Sequence, residues 1–304
     1  MNIAVVGATG VVGETIIRVL RERKVPIDEL GLFASRARNG VQATSDEALA
    51  PFQAVFFAGS EEASEKFAPA ILARGGVVID NSSTYRMRPE VPLLIPEINA
   101  HALKPENRLL PVGNCTAIIL CMALAPIRNV AGLTSVSVAS YQAVSGAGRE
   151  ALDEFDAGKG PIIGNVIPQI GGFDDSGNTG EEVKVIEETR KILELPDLAI
   201  SVTAVRVPVR TAHSEVVFFE TERDASLEQL DGAFGDVAGV LFHKTGIVTP
   251  RDVEGTDVVH VARLRARPGA ENRFAMWVVG DQLRKGAATN AVQILELLLE
   301  RGML

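Results

Sequence analysis

The sequence predicts an α/β protein of two domains. The first has a parallel sheet with helices on both faces, and the second is an α+β domain around a large mixed or antiparallel sheet. Three observations carry this. Short apolar strands alternate with helical segments over the first third of the chain. A glycine-rich turn joins the first strand to the first helix. Beyond Cys115 the alternation gives way to long β-rich stretches with few helices between them.

In order, residues 2–6 are a short buried strand, and 11–23 show helical spacing through Val12, Ile16, Val19 and Leu20. Strands follow at 30–34, 54–58 and 77–80, with a helix at 63–74 between the last two. Such alternation produces a parallel sheet. A helix is expected at 116–127. Strands are then expected at 134–143, 199–209, 214–222, 258–265 and 273–279, and helices at 147–156, 181–195 and 227–241. Residues 283–301 form a last amphipathic helix that could return to the first domain. The expected domains are therefore 1–114, completed by 283–304, and 115–282. The Gly-rich connection 158–180 is long enough to suggest a functional loop.

A chain of 304 residues suits two domains better than one core. With only 5% aromatic residues, that core must come from Val, Ile, Leu and Ala. The net charge of -9 argues against a nucleic-acid partner, yet permits small anions in a local positive pocket. No apolar run reaches membrane-spanning length and no targeting segment is evident, so no membrane partner and a cytoplasmic location are expected. Two cysteines, Cys115 and Cys121, fit a reducing compartment. No His or Cys lies near them at zinc-ligand spacing, so no metal is expected.

The turn Gly7-Ala8-Thr9-Gly10-Val11-Val12-Gly13 lies between a strand and a helix. Glycines there let the backbone approach a pyrophosphate, whose charge meets the helix N-terminus. The same spacing also serves a bare tight turn, but in this context it favours a Rossmann-like dinucleotide site. The region that carries an acid for the ribose 2′-OH in NAD-preferring folds holds Ser35, Arg36 and Arg38 instead. Arginines suit a 2′-phosphate, which favours NADP; two solvated surface arginines would read the same way.

Cys115, between Asn114 and Thr116, opens a predicted helix. Unpaired N–H groups and the macrodipole at a helix start stabilise a thiolate, as a nucleophile requires. A buried structural cysteine is the commoner case, and Cys121, in the apolar run of the same helix, reads as one.

Six blocks occur in order: GATGVVG at the start, GNCT around Cys115, SYQAVSGAG at 140–148, EEVK at 181–184, RVPVRTAHSE at 206–215 and GDQLRKGAATNAVQI at 280–294. Over nearly the whole chain the sequence resembles the aspartate-semialdehyde dehydrogenase family. The resemblance implies two-domain subunits in a homodimer or homotetramer. It implies reduction of aspartyl phosphate by NADPH to aspartate semialdehyde and inorganic phosphate, in the biosynthesis of lysine, threonine, methionine and isoleucine.

It also implies roles. Cys115 is the nucleophile that carries a thioester, and His213 the acid–base. Arg206 binds the substrate carboxylate, Glu181 its amino group, and Gln142 orients it. Arg86, Asn114 and Lys184 bind phosphate, while Ser145, Gly146 and Gln282 contact the cofactor near its nicotinamide. By spacing alone, Glu181 and Lys184 are an ordinary surface pair, and Arg206 a structural salt bridge. The chain departs from the family in being short between Arg38 and Phe52, which leaves open which arginine meets the 2′-phosphate. An N-acetylglutamyl-phosphate reductase would share the thioester chemistry, but its acylated nitrogen would not call for Glu181. A non-catalytic nucleotide-binding paralogue would be expected to lack Cys115.

Overall fold

The computed structural model describes residues 1–304. They form twelve strands in two six-stranded sheets. The chain divides into two compact units, Met1–Asn114 with Ala287–Leu304, and Cys115–Gly286.

The first unit holds β1 (Asn2–Val6), β2 (Glu29–Ala34), β3 (Gln42–Ala43), β4 (Ala54–Phe57), β5 (Val77–Asp80) and β6 (Leu109–Pro111). Their order is β3-β2-β1-β4-β5-β6 and every pair is parallel. β4 and β5 are buried along their whole length, as strands covered on both faces must be. Ala4, Val6, Val55 and Phe57 share a cluster with Phe67, Ala68 and Ile71 of the helix Glu61–Ala73. The intervening residues point to the opposite face. The helix Val11–Glu22 packs on β1 and against the terminal helix Thr289–Glu300. Arg23 bonds Glu296 through two nitrogens at 2.8 and 2.7 Å, and Asn290 Nδ2 donates to the Leu94 carbonyl at 2.9 Å. Strand order reverses between β1 and β4, so the loops that follow them open the crevice where such sheets hold ligands.

The second unit holds β7 (Ser135–Gln142), β8 (Ala199–Arg206), β9 (His213–Glu220), β10 (Val240–His243), β11 (Val259–Ala266) and β12 (Arg273–Gly280). The order is β10-β11-β12-β9-β7-β8, and the sheet is mixed. The edge pairs β7–β8 and β10–β11 are parallel and the inner pairs antiparallel. β8 runs parallel to β7 because the helix Gly180–Ile192 lies in the crossover between them. Burial alternates along β7: Val136, Val138, Ser140 and Gln142 are buried, while Ser137 and Tyr141 are exposed. The helices Cys115–Ala131 and Gly180–Ile192 pack on each other and on the sheet.

Several elements differ from the sequence reading. The helix expected over 227–241 stops at Gly232, and Val240–His243 is a strand. Gly232, Gly235 and Gly239, the last at φ +74°, end the helix before a β-favouring Val-Leu-Phe run. β8 ends at Arg206, since Pro208 cannot donate to a ladder. The last helix is not uniform, because Arg284–Ala288 form a π-helical turn. The short strands β3 and β6 escaped the pattern. Within 39–52 the chain makes a tight turn at Asn39 and Gly40 (φ +42° and +80°), then β3, then the one-turn helix Asp46–Leu49 capped by Ser45.

Candidate active site

In the first unit, Gly7, Thr9, Gly10, Ser35 and Thr44 line a cavity of about 550 Å³ with Gly59, Ser60, Glu62 and Lys66. The residues fit a dinucleotide. Gly10 is the N-cap of Val11–Glu22 and makes no side-chain cap bond, so the helix start is not filled from within. Gly7 needs its left-handed φ of +83°. A Cβ on Gly13 would lie 2.2 Å from the Gly7 carbonyl oxygen, so only glycine lets helix and turn approach this closely. Val11 and Val12, half-buried, form the first turn of that helix. Ser35 reaches the cavity, but Arg36 and Arg38 are exposed and are not among its lining residues. Lys66 is, and the sequence reading passed over it.

Arg86 is buried in the turn that follows β5, where its Nη2 donates to the Asn81 carbonyl at 2.8 Å. The turn is anchored by Asp80, which accepts from Ser64 Oγ, the Ser82 N–H and Ser82 Oγ at 2.7, 2.8 and 2.7 Å. Asn114 is buried just beyond β6, the neighbour of β5.

In the second unit, Cys115 is the first residue of the helix Cys115–Ala131 and is half-buried. Its Sγ lies 3.6 Å from His213 Nε2. His213 begins β9, where Ala212 takes a left-handed φ of +69° and donates its N–H to Gln282 Oε1 at 2.8 Å. Burial holds the His213 pKa well below the usual imidazole range, and the Arg206 cation adds to this. Cys121, fully buried in the same helix, has its thiol pushed up, mainly by burial.

Register explains why distant residues meet. Gln142 ends β7 opposite Arg206 at the end of β8, and Tyr141 pairs with Ser214, beside His213 at the start of β9. Gln142 Nε2 donates to Glu181 Oε1 at 3.1 Å, and Arg206 Nη1 to the Ala143 carbonyl at 2.6 Å. Burial lowers the Arg206 pKa, while the negative charges of Cys115 and Glu181 oppose that shift. Glu182 pins the helix carrying Glu181 by accepting from the Thr179 N–H at its cap and the Ala204 N–H of β8, at 2.6 and 2.8 Å. Lys184 is half-buried one turn further on. Ser145 and Gln282 are both buried and hydrogen-bonded to each other.

Residues 2–105 match the family model described as semialdehyde dehydrogenase, NAD binding domain, and 124–285 match semialdehyde dehydrogenase, dimerisation domain. The aspartate-semialdehyde dehydrogenase of Bacillus subtilis is 37% identical, covering 98% of this chain and 97% of that protein. The chain belongs to the aspartate-semialdehyde dehydrogenase family. The Aquifex aeolicus member is 38% identical over 100% of this chain and 99% of its own length. The structure of aspartate semialdehyde dehydrogenase II from Vibrio cholerae complexed with ASA superposes with a TM-score of 0.92. It is 38% identical and covers 98% of each chain.

The sequence reading does not single out two features of this candidate site. Gly286 packs on the nucleophile candidate: a Cβ there would lie 3.0 Å from Cys115 Cβ. Ala143 bonds both ring and guanidinium through its backbone, which no side-chain pattern reports. The family resemblance implies that Gly146 is a cofactor contact. A Cβ on it would also sit 3.1 Å from Arg206 Nη1 and 3.2 Å from His213 Cε1. No helix is long and apolar enough to cross a membrane.

Proposed function

We propose that this chain reduces aspartyl 4-phosphate to aspartate semialdehyde and inorganic phosphate through a thioester on Cys115. The observation that carries the reading is the Cys115 sulfur at a helix start, 3.6 Å from a buried imidazole. Family membership supports the substrate, and so does the ASA complex of the Vibrio cholerae relative.

The Cys115 thiolate attacks the acyl carbonyl; the S–C bond forms and the C–O bond to phosphate breaks. Arg206 offers a planar fork to the substrate carboxylate. Glu181, oriented by Gln142, takes the amino group. Arg86, Asn114 and Lys184 receive the phosphate. His213 serves the reacting oxygen and sulfur as the acid–base group. Gly7, Thr9, Gly10, Val11, Val12 and Gly13 would hold NADPH, with Ser35, Arg36 and Arg38 to receive its 2′-phosphate and Ser145, Gly146 and Gln282 its nicotinamide end. When bound it supplies the hydride that takes the acyl carbon to the aldehyde level.

The match to a dimerisation domain supports a homo-oligomer, a dimer or a tetramer. The enzyme works in the cytoplasm, on the route to lysine, threonine, methionine and isoleucine. The test is NADP reduction by the purified protein with aspartate semialdehyde, with and without phosphate. Reduction that needs phosphate is expected. Turnover of N-acetylglutamate semialdehyde in its place would overturn the substrate assignment.

A further inference from the structure

A cavity of about 630 Å³ in the second unit is lined by none of the residues assigned above. It lies between the end of the helix Arg149–Asp156, the segment 208–211 that leads into β9, and the one-turn helix Pro250–Val253 with the residue after it. Small-molecule sites have this size, with apolar walls and a few polar groups that fix orientation. Here Phe155, Pro208, Val209 and Pro250 supply the walls.

Three polar groups of the lining are not spent within the protein. Thr211 is only 6% exposed, yet its hydroxyl makes no hydrogen bond. A buried hydroxyl without a partner is uncommon and needs a reason. Thr249, in the same lining, is different, for its Oγ1 donates to Asp252 Oδ2 at 2.7 Å. Arg251 makes neither a hydrogen bond nor an ion pair. The Glu254 carboxylate meets only Arg210 Nη1, at 3.8 Å. The other nitrogens of that guanidinium close on Asp156 instead, Nε on Oδ1 and Nη2 on Oδ2, both at 2.9 Å. An unpaired cation, a loosely held carboxylate and a free hydroxyl thus line one apolar-walled space. A simple anion would leave Glu254 unmatched, and a simple cation Arg251. We propose that this cavity binds a free α-amino acid with an apolar side chain. Arg251 takes the carboxylate as a planar fork and Glu254 the ammonium. Thr211 Oγ1 gains the partner it lacks, and the side chain lies against the apolar walls.

One wall of the cavity also supports the cofactor's end of the site. The Val209 and Arg210 carbonyls accept from the Val144 and Ser145 N–H groups at 2.8 and 3.1 Å. These bonds hold the turn Val144–Ala147, whose Ser145 and Gly146 are assigned to the nicotinamide end. An amino acid settled against 208–211 therefore biases that turn, and its binding is coupled to that of NADP, each changing the other by the same factor. The coupling rests on the cofactor assignment made above; the amino-acid site itself does not.

Calorimetry needs no turnover, so its failure is distinct from a failure of the proposed reaction. Titration of the full-length protein with L-isoleucine, carried to about 10 mM, should show saturable binding. Arg251→Ala and Glu254→Gln should each weaken it by about tenfold or more. Both side chains are exposed, so neither substitution threatens the fold. L-isoleucinamide and N-acetyl-L-isoleucine, each lacking one of the two charges, should bind the wild type more weakly by a similar factor. The proposed substrate is itself an amino acid, so Arg206→Lys serves as the control and should bind L-isoleucine as the wild type does. Absence of binding overturns the proposal, and so does binding lost in Arg206→Lys but kept in both cavity variants. An analogue with one charge that binds as well as L-isoleucine overturns the zwitterion assignment. Saturating L-isoleucine should change the Kd for NADP by about fivefold or more in the wild type. An unchanged Kd with L-isoleucine bound would overturn the coupling.

Discussion

At Gly13 the first unit needs the absence of a side chain; at His213 the second needs a side chain gripped from two directions. The crevice beside β1 is built around the backbone of one seven-residue turn, its helix start left open by Gly10, and residues such as Ser35, Thr44 and Lys66 complete its lining. The pocket at the end of β7, β8 and β9 is made of side chains from stretches far apart in the chain. A site of the first kind tolerates most changes around it but no added carbon at its closest approach. A site of the second kind depends on register, and each residue has its own failure.

The sharpest break of this contrast lies at Cys115. Cys115→Ala should lower turnover by on the order of 10⁴-fold or more, with NADP binding intact. Cys121→Ala, on the same helix, should keep most activity and cost about 1 kcal/mol in denaturant unfolding. An essential Cys121 would end the mechanism proposed here. On the backbone side, Gly13→Val should destabilise the protein by about 3 kcal/mol and abolish NADP binding in a titration. Retained binding would mean the turn is not the cradle.

Arg206→Lys should raise KM for aspartate semialdehyde by roughly 10- to 100-fold, since an ammonium cannot reproduce the fork. KM for phosphate should scarcely move. Arg86→Ala should do the reverse. Equal effects on both constants would reduce both arginines to structural parts. For the cofactor, Arg36→Ala with Arg38→Ala should narrow the NADPH/NADH preference by about tenfold or more. If Lys66→Ala narrows it further, the 2′-phosphate contact is the lysine that lines the cavity.

The smallest effect lies under the side-chain site. Glu215 is fully buried, neither carboxyl oxygen has a partner, and burial pushes its pKa well above the usual carboxylate range. The folded protein therefore binds this proton more tightly than the unfolded chain. Stability should fall as pH rises from the ordinary carboxylate pKa to the raised one, and level off beyond it. Glu215→Gln should flatten that slope in melting curves taken across pH. An identical slope in both proteins would assign it to other groups.

The same contrast explains what the sequence disclosed. The strand–glycine–helix unit was readable because its pattern is local: β1, the turn and the helix Val11–Glu22 lie within one stretch. The long strands β7, β9 and β12 were readable as extended runs rich in β-favouring residues. β3 and β6 were not, since two or three residues carry no period. β10 was lost inside an apparent helix because glycines outweigh apolar spacing there. Cys115, Gln142, Arg206 and His213 could be grouped only by resemblance, for no spacing relates residues that strand register brings together. Ala143 and Gly286 gave no signal, since one acts through its backbone and the other by having no side chain.

The π-helical turn Arg284–Ala288 holds one residue beyond what a regular helix of the same rise would need. The alignment with the Bacillus subtilis protein runs over 336 positions, against 304 residues in this chain, so length has changed within the lineage. Losing a codon within 39–52 would shorten a surface turn. Losing one within 284–288 would leave a continuous helix but rotate everything beyond it by about 100°. Asn290 would leave Leu94 and Glu296 would leave Arg23, so insertions and deletions inherited by this lineage should spare that single turn.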